Sequence, residues 1–129
     1  MDDKLTILYV DDEKINLMLF EINFQKKFNV ILAESGDEGL QLLNKHNDIS
    51  IVISDMRMPK MNGIEFINEA RKEFSNIAYF ILTAFDYNDE IDHALKNNII
   101  HKFFTKPFKI HEIEAAVNNA IKDLGLDNR

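Results

Sequence analysis

The chain has 129 residues, 22 acidic against 15 basic side chains for a formal net charge of -7, and no cysteine. That length suits one domain over residues 1–129, and the acidic balance excludes a surface that tracks nucleic-acid phosphates. Disulfides, thiolate metal sites and a cysteine nucleophile are excluded outright, and an acidic start with no apolar run long enough for a bilayer places the expected protein in the cytoplasm, away from membranes.

Residues 5–10 form an apolar run that fits a buried strand and stops at Asp11, Asp12 and Glu13. In the helix that follows, Ile15, Met18, Leu19 and Ile22 recur at i, i+3, i+4 and i+7, the spacing of a core-facing stripe. Leu17, Phe20 and Phe24 make a second stripe, so the helix is either buried on two faces or carries a docking surface. Residues 29–34 give a second strand, and Ser35-Gly36-Asp37 can cap a helix over 37–45.

Residues 49–53 are nearly continuous β-branched side chains, as expected of a strand covered on both faces, and they lead directly onto Asp55. Pro59 and Asn62-Gly63 forbid continuation of the strand, so Asp55 opens a loop at its carboxyl end. Gly63, Phe66, Ile67 and Ala70 supply the buried stripe of a third helix. A fourth strand over 77–82 ends at Thr83-Ala84-Phe85, after which Asp86, Asn88 and Asp89 offer caps for a helix that turns Ile91, Ala94 and Leu95 inward. Residues 102–105 read as a fifth strand closed by Lys106-Pro107-Phe108, and Ile110, Ile113, Val117, Ala120, Ile121 and Leu124 stripe a last helix that Gly125 stops. His46, His93, His101 and His111 have no metal-ligand spacing and are read as solvated.

Five alternating strand and helix units imply an α/β fold, a doubly wound five-stranded parallel sheet in the order 2-1-3-4-5 with five helices, flavodoxin-like. Its switch point lies between strands 1 and 3, so Asp11 and Asp12 come to lie beside Asp55, with Thr83 and Lys106 on the same edge of the sheet. Taken singly, the aspartates could be helix caps or turn formers, Thr83 a strand residue and Lys106 a surface lysine. Only a shared site explains why all five end strands on one edge.

Three carboxylates held together repel one another and call for a cation, and oxygen-only donors in a crevice suit Mg²⁺. With a lysine ammonium and a threonine hydroxyl alongside, the set matches the needs of phosphoryl transfer, in which Asp55 is the covalent nucleophile.

The motifs V-D-D-E at 10–13, S-D-M-R-M-P-x-M-N-G at 54–63, L-T-A at 82–84 and F-x-x-K-P-F at 103–108 closely resemble those of the receiver domain of bacterial two-component response regulators, over nearly the whole chain. The resemblance implies a phosphoacceptor signalling domain, not an enzyme in its own right, in which Asp55 takes a phosphoryl group from a histidine kinase or phosphotransfer protein. It further implies Mg²⁺ held directly by Asp12, Asp55 and the backbone carbonyl of Arg57, with Asp11 acting through water. Lys106 and Thr83 would contact phosphoryl oxygens, and the bond before Pro107 would be cis. Phosphorylation would be read by Thr83 and Phe103 and would alter the face of the fourth helix, fifth strand and fifth helix toward a downstream effector.

Two departures from the family pattern stand out. Phe103 lacks the hydroxyl of the tyrosine that many members carry, and Asn97-Asn98-Ile99-Ile100 replaces small residues, which is expected to enlarge the apolar signalling face. Arg57 and Phe85, overhanging the reacting phosphorus without a hydrogen-bond acceptor, predict slow hydrolysis of the phosphoaspartate. Rival readings fit less well. A phosphoaspartyl hydrolase of the haloacid-dehalogenase type expects an acid where Arg57 stands, flavin phosphate binding needs a Ser/Thr/Gly-rich loop in place of Asp-Asp-Glu, and a constitutive binding module would lack some of these residues.

Overall fold

A computed structural model of the chain describes residues 4–84 and 88–125. Phe85 and Asp86, to which the sequence assigns a shielding and a capping role, lie outside the described residues.

The strands are β1 (Thr6–Val10), β2 (Asn29–Ala33), β3 (Ile49–Ser54), β4 (Ala78–Thr83) and β5 (Lys102–Thr105). They alternate with α1 (Lys14–Phe24), α2 (Gly36–Lys45), α3 (Gly63–Glu73), α4 (Asp89–Lys96) and α5 (Ile110–Asp123). All pairings are parallel and the sheet order is β2-β1-β3-β4-β5, the doubly wound arrangement expected from the alternation. Alternate residues of the central strands feed two cores. Ile7, Tyr9, Ile51, Ile53, Phe80 and Leu82 pack with α1 and α5, while Leu8, Val10, Val52, Tyr79 and Ile81 pack with α2, α3 and α4.

Local chemistry accounts for the helix starts. Ser35 accepts a hydrogen bond from the Glu38 N–H at 3.1 Å, Asn88 accepts one from Ile91, and Asn62 forms a reciprocal capping box with Glu65. Gly125 follows α5 with φ at 68°, the left-handed conformation that ends a helix.

Two sequence expectations are corrected. In α1 the core-facing residues are Leu17, Phe20 and Phe24, whereas Ile15, Met18, Leu19 and Ile22 are 47% to 63% exposed. Both stripes have helical spacing, and the aromatic one takes the core because Phe20 stacks on Tyr9 at 4.2 Å and Phe24 lies 5.5 Å from Phe108.

The second correction concerns Ile99 and Ile100, which do not enlarge a surface. Ile100 is buried and Ile99 half-buried against the core under α4. Asn98, with φ at 58°, closes α4 by a Schellman motif in which the Ile99 N–H bonds the Ala94 carbonyl at 2.8 Å and the Asn98 N–H bonds that of Leu95. Asparagine tolerates the left-handed conformation, so it turns the chain and sends the next two side chains inward.

Candidate functional site

The site is assembled by the register of the two central strands. Val10 pairs with Ser54, and the Asp55 N–H bonds the Val10 carbonyl at 2.8 Å, so Asp11 and Asp55 emerge side by side at the carboxyl edge. On the other side, Thr83 pairs with Thr105, and the Lys106 N–H bonds the Thr83 carbonyl at 2.8 Å. That pairing brings Lys106 over the two carboxylates. The Lys106-Pro107 peptide bond is cis. Behind Asp55 the chain turns back so closely that a Cβ on Gly63 would overlap the Asp55 carbonyl, which only glycine permits.

Asp11 is completely buried and its oxygens are well occupied. Oδ2 accepts from the Tyr9 hydroxyl at 2.7 Å and the Lys106 ammonium at 2.9 Å, and Oδ1 accepts from the Glu13 N–H at 3.0 Å. Asp55, also buried, has partners on Oδ1 among the described residues: that oxygen accepts from the Met56 N–H at 2.9 Å and faces the Lys106 ammonium at 3.4 Å. Burial, and then the neighbouring Asp11 charge, push the Asp55 carboxyl up to about 6, with Lys106 acting in the opposite direction.

Asp11, Asp12 and Asp55 can each present an oxygen such that all three lie within 4.8 Å of one another, Asp12 from an exposed position. Oxygen-only donors around a repelling, partly buried cluster fit a hard divalent cation such as Mg²⁺. Thr83 is fully buried at the end of β4, and Arg57 is exposed two positions beyond Asp55. Phe103, half-buried, packs on the core beneath α4 instead of joining the carboxylates. Sequence reasoning missed Tyr9. The available signal was a tyrosine in an otherwise aliphatic strand two positions before the first acid.

Residues 7–118 match the family described as the response regulator receiver domain. The chain belongs to that family. Among curated relatives of this receiver domain, the hydrogenase transcriptional regulatory protein HoxA of Cupriavidus necator is 26% identical over 97% of this chain and 26% of its own length. Response regulator SaeR of Staphylococcus aureus is 29% identical over 89% of this chain and 50% of its own length. The chain thus spans about a quarter to a half of the curated relatives it matches. A solved response regulator receiver domain protein from Clostridium thermocellum superimposes with a TM-score of 0.82 at 30% identity, covering 94% of this chain and 97% of that one. The signal receiver domain of an HD domain-containing protein from Pseudomonas fluorescens shares the fold, with a TM-score of 0.86 at 21% identity over 95% of this chain and 98% of its own. Receiver domains are signalling regulatory domains of two-component systems and generally bind Mg²⁺. Among the described residues, no helix is long and apolar enough to cross a membrane.

Proposed function

We propose that this receiver domain accepts a phosphoryl group on Asp55 from the phosphohistidine of a histidine kinase or phosphotransfer protein. The observation that carries the reading is a buried carboxylate with Oδ2 unbonded among the described residues, set beside a lysine ammonium and two further carboxylates. In the transfer, an Asp55 oxygen forms the new O–P bond as the P–N bond to the donor imidazole breaks, and the ring nitrogen leaves with the bonding pair. The Lys106 ammonium pairs with one phosphoryl oxygen and the Thr83 hydroxyl donates to another. Asp12, Asp55 and the Arg57 carbonyl would hold Mg²⁺ directly and Asp11 through water, and the ion would supply positive charge to the phosphoryl oxygens.

A groove of about 500 Å³ is lined by Lys106, Pro107, Asn16 and Leu19, the last on the exposed apolar side of α1. A protein donor would gain apolar contact there, beside the lysine that faces Asp55. Thr83, drawn toward the phosphoryl group, and Phe103, rotating into the space released, bias the α4, β5 and α5 face toward a downstream effector. Phe103→Ala should keep phosphorylation and lose the change on α4; identical phosphorylation-induced amide shifts in mutant and parent would exclude this coupling. The reading places one receiver domain over residues 1–129 in the cytoplasm, acting through proteins and not through nucleic acid or membrane.

Incubation with Mg²⁺ and a small acyl phosphate, followed by intact mass and peptide mapping, tests the central claim. One Mg²⁺-dependent phosphoryl adduct on Asp55 is expected. No adduct, or one elsewhere, would refute it.

A further inference from the structure

Tyr9 reaches the acidic cluster from inside the core. Its ring lies in β1, 1% exposed, stacked on Phe20 of α1 with the planes 12° apart. Its hydroxyl donates to Asp11 Oδ2 at 2.7 Å, the same oxygen that receives the Lys106 ammonium at 2.9 Å. Lys106 therefore has two roles to reconcile. In this structure it neutralises Asp11, yet phosphoryl transfer, the reading on which this inference rests, requires it to serve an incoming phosphoryl oxygen. A completely buried carboxylate deprived of its cation is costly unless other donors remain on it.

We infer that Tyr9 is a positioning residue for phosphoryl transfer: its hydroxyl keeps Asp11 in place and stays on Oδ2 as the remaining donor when Lys106 moves from that oxygen to the phosphoryl group. The Glu13 N–H on Oδ1 cannot replace it, because it serves the other oxygen. The stack on Phe20 holds the tyrosine ring, so the hydroxyl is aimed by packing and needs no reorganisation when the lysine leaves. Without the hydroxyl, Oδ2 has Lys106 as its sole described partner, and the ammonium is held back from the phosphoryl group.

The test compares the parent with Tyr9→Phe, which keeps the stacked ring and removes only the oxygen. Beryllofluoride, a phosphoryl mimic, is titrated with Mg²⁺ present and followed by fluorine NMR, and the initial phosphorylation rate with acyl phosphate is measured alongside. Tyr9→Phe is expected to weaken beryllofluoride binding and slow phosphorylation each by about tenfold, the weight of one charge-assisted hydrogen bond. Lys106→Met should abolish the distinction, so that adding Tyr9→Phe to it changes beryllofluoride affinity less than about twofold. Ile67→Ala, a cavity in the core on the other face of the sheet, should lower the melting temperature and leave that affinity within about twofold. Parental affinity in Tyr9→Phe, additive losses in the double mutant, or an equal loss in Ile67→Ala would each overturn the assignment. A parent that takes up neither phosphoryl group nor mimic would instead refute the phosphoacceptor reading.

Discussion

The ends of β1 and β3 carry two buried aspartates a strand apart, and their surroundings differ in kind. Asp11 receives a tyrosine hydroxyl, an ammonium and a backbone N–H spread over both oxygens. Asp55 has one backbone N–H and a longer ammonium contact, both on Oδ1, and its carboxyl is raised to about 6. Burial alone therefore does not single out the acceptor proposed above. The distinction lies in how many lone pairs the fold has already committed, because each donor on a carboxylate leaves it less with which to form a bond.

The sharpest way to break this contrast is Asp55→Asn. Phosphorylation should vanish while the fold persists, and in metal-free buffer the variant should melt no lower than the parent, since a nearly isosteric change relieves like-charge repulsion. Stoichiometric modification of that variant by acyl phosphate would mean that another residue is the acceptor. Next in size is Asp12→Ala. Mg²⁺ should raise the melting temperature of the parent by mass action, and this variant should lose the shift. A shift of parental size would place the cation away from the three-aspartate cluster.

Arg57→Asn should accelerate hydrolysis of the phosphoaspartate by up to about tenfold, equivalent to about 1.4 kcal/mol, because an amide oxygen can accept a hydrogen bond from attacking water where a guanidinium cannot. Phosphate release at constant Mg²⁺ and pH measures it, and an unchanged rate would remove Arg57 from the shielding.

The smallest effect is a pH dependence. With its folded value raised to about 6 from an ordinary 3.8, Asp55 holds a proton in the folded state that the unfolded chain has released between those values. Stability is therefore lost as pH rises through that window, and the penalty is complete above about 6. The advantage of Asp55→Asn in metal-free melting should be small near about pH 4 and largest near about pH 7. An advantage independent of pH would show that Asp55 is not the group strained by burial.

Much of this arrangement was legible in linear sequence. Alternating strand and helix patterns specify a doubly wound sheet, and placement of Asp11, Asp12, Asp55, Thr83 and Lys106 at strand ends specifies the edge they share, because strand direction and crossover handedness leave few alternatives. Residues 102–105 as a strand, the buried stripe of α3 and the stop at Gly125 are local matters of spacing and backbone chemistry, and they appear in the structure as read.

What spacing could not decide was which of two equally periodic faces of α1 turns inward. Tyr9 and Phe108, remote in sequence from Phe20 and Phe24, made that choice by offering aromatic partners. The left-handed turn at Asn98 is local to the end of α4, but the burial of Ile100 behind it is decided by the core it meets. The contrast between Asp11 and Asp55 belongs to the same class. Sequence by itself determined that acids gather at one edge, whereas only tertiary structure decided which acid would hold the more donors, since these come from β1, the residue capping α1 and the segment after β5.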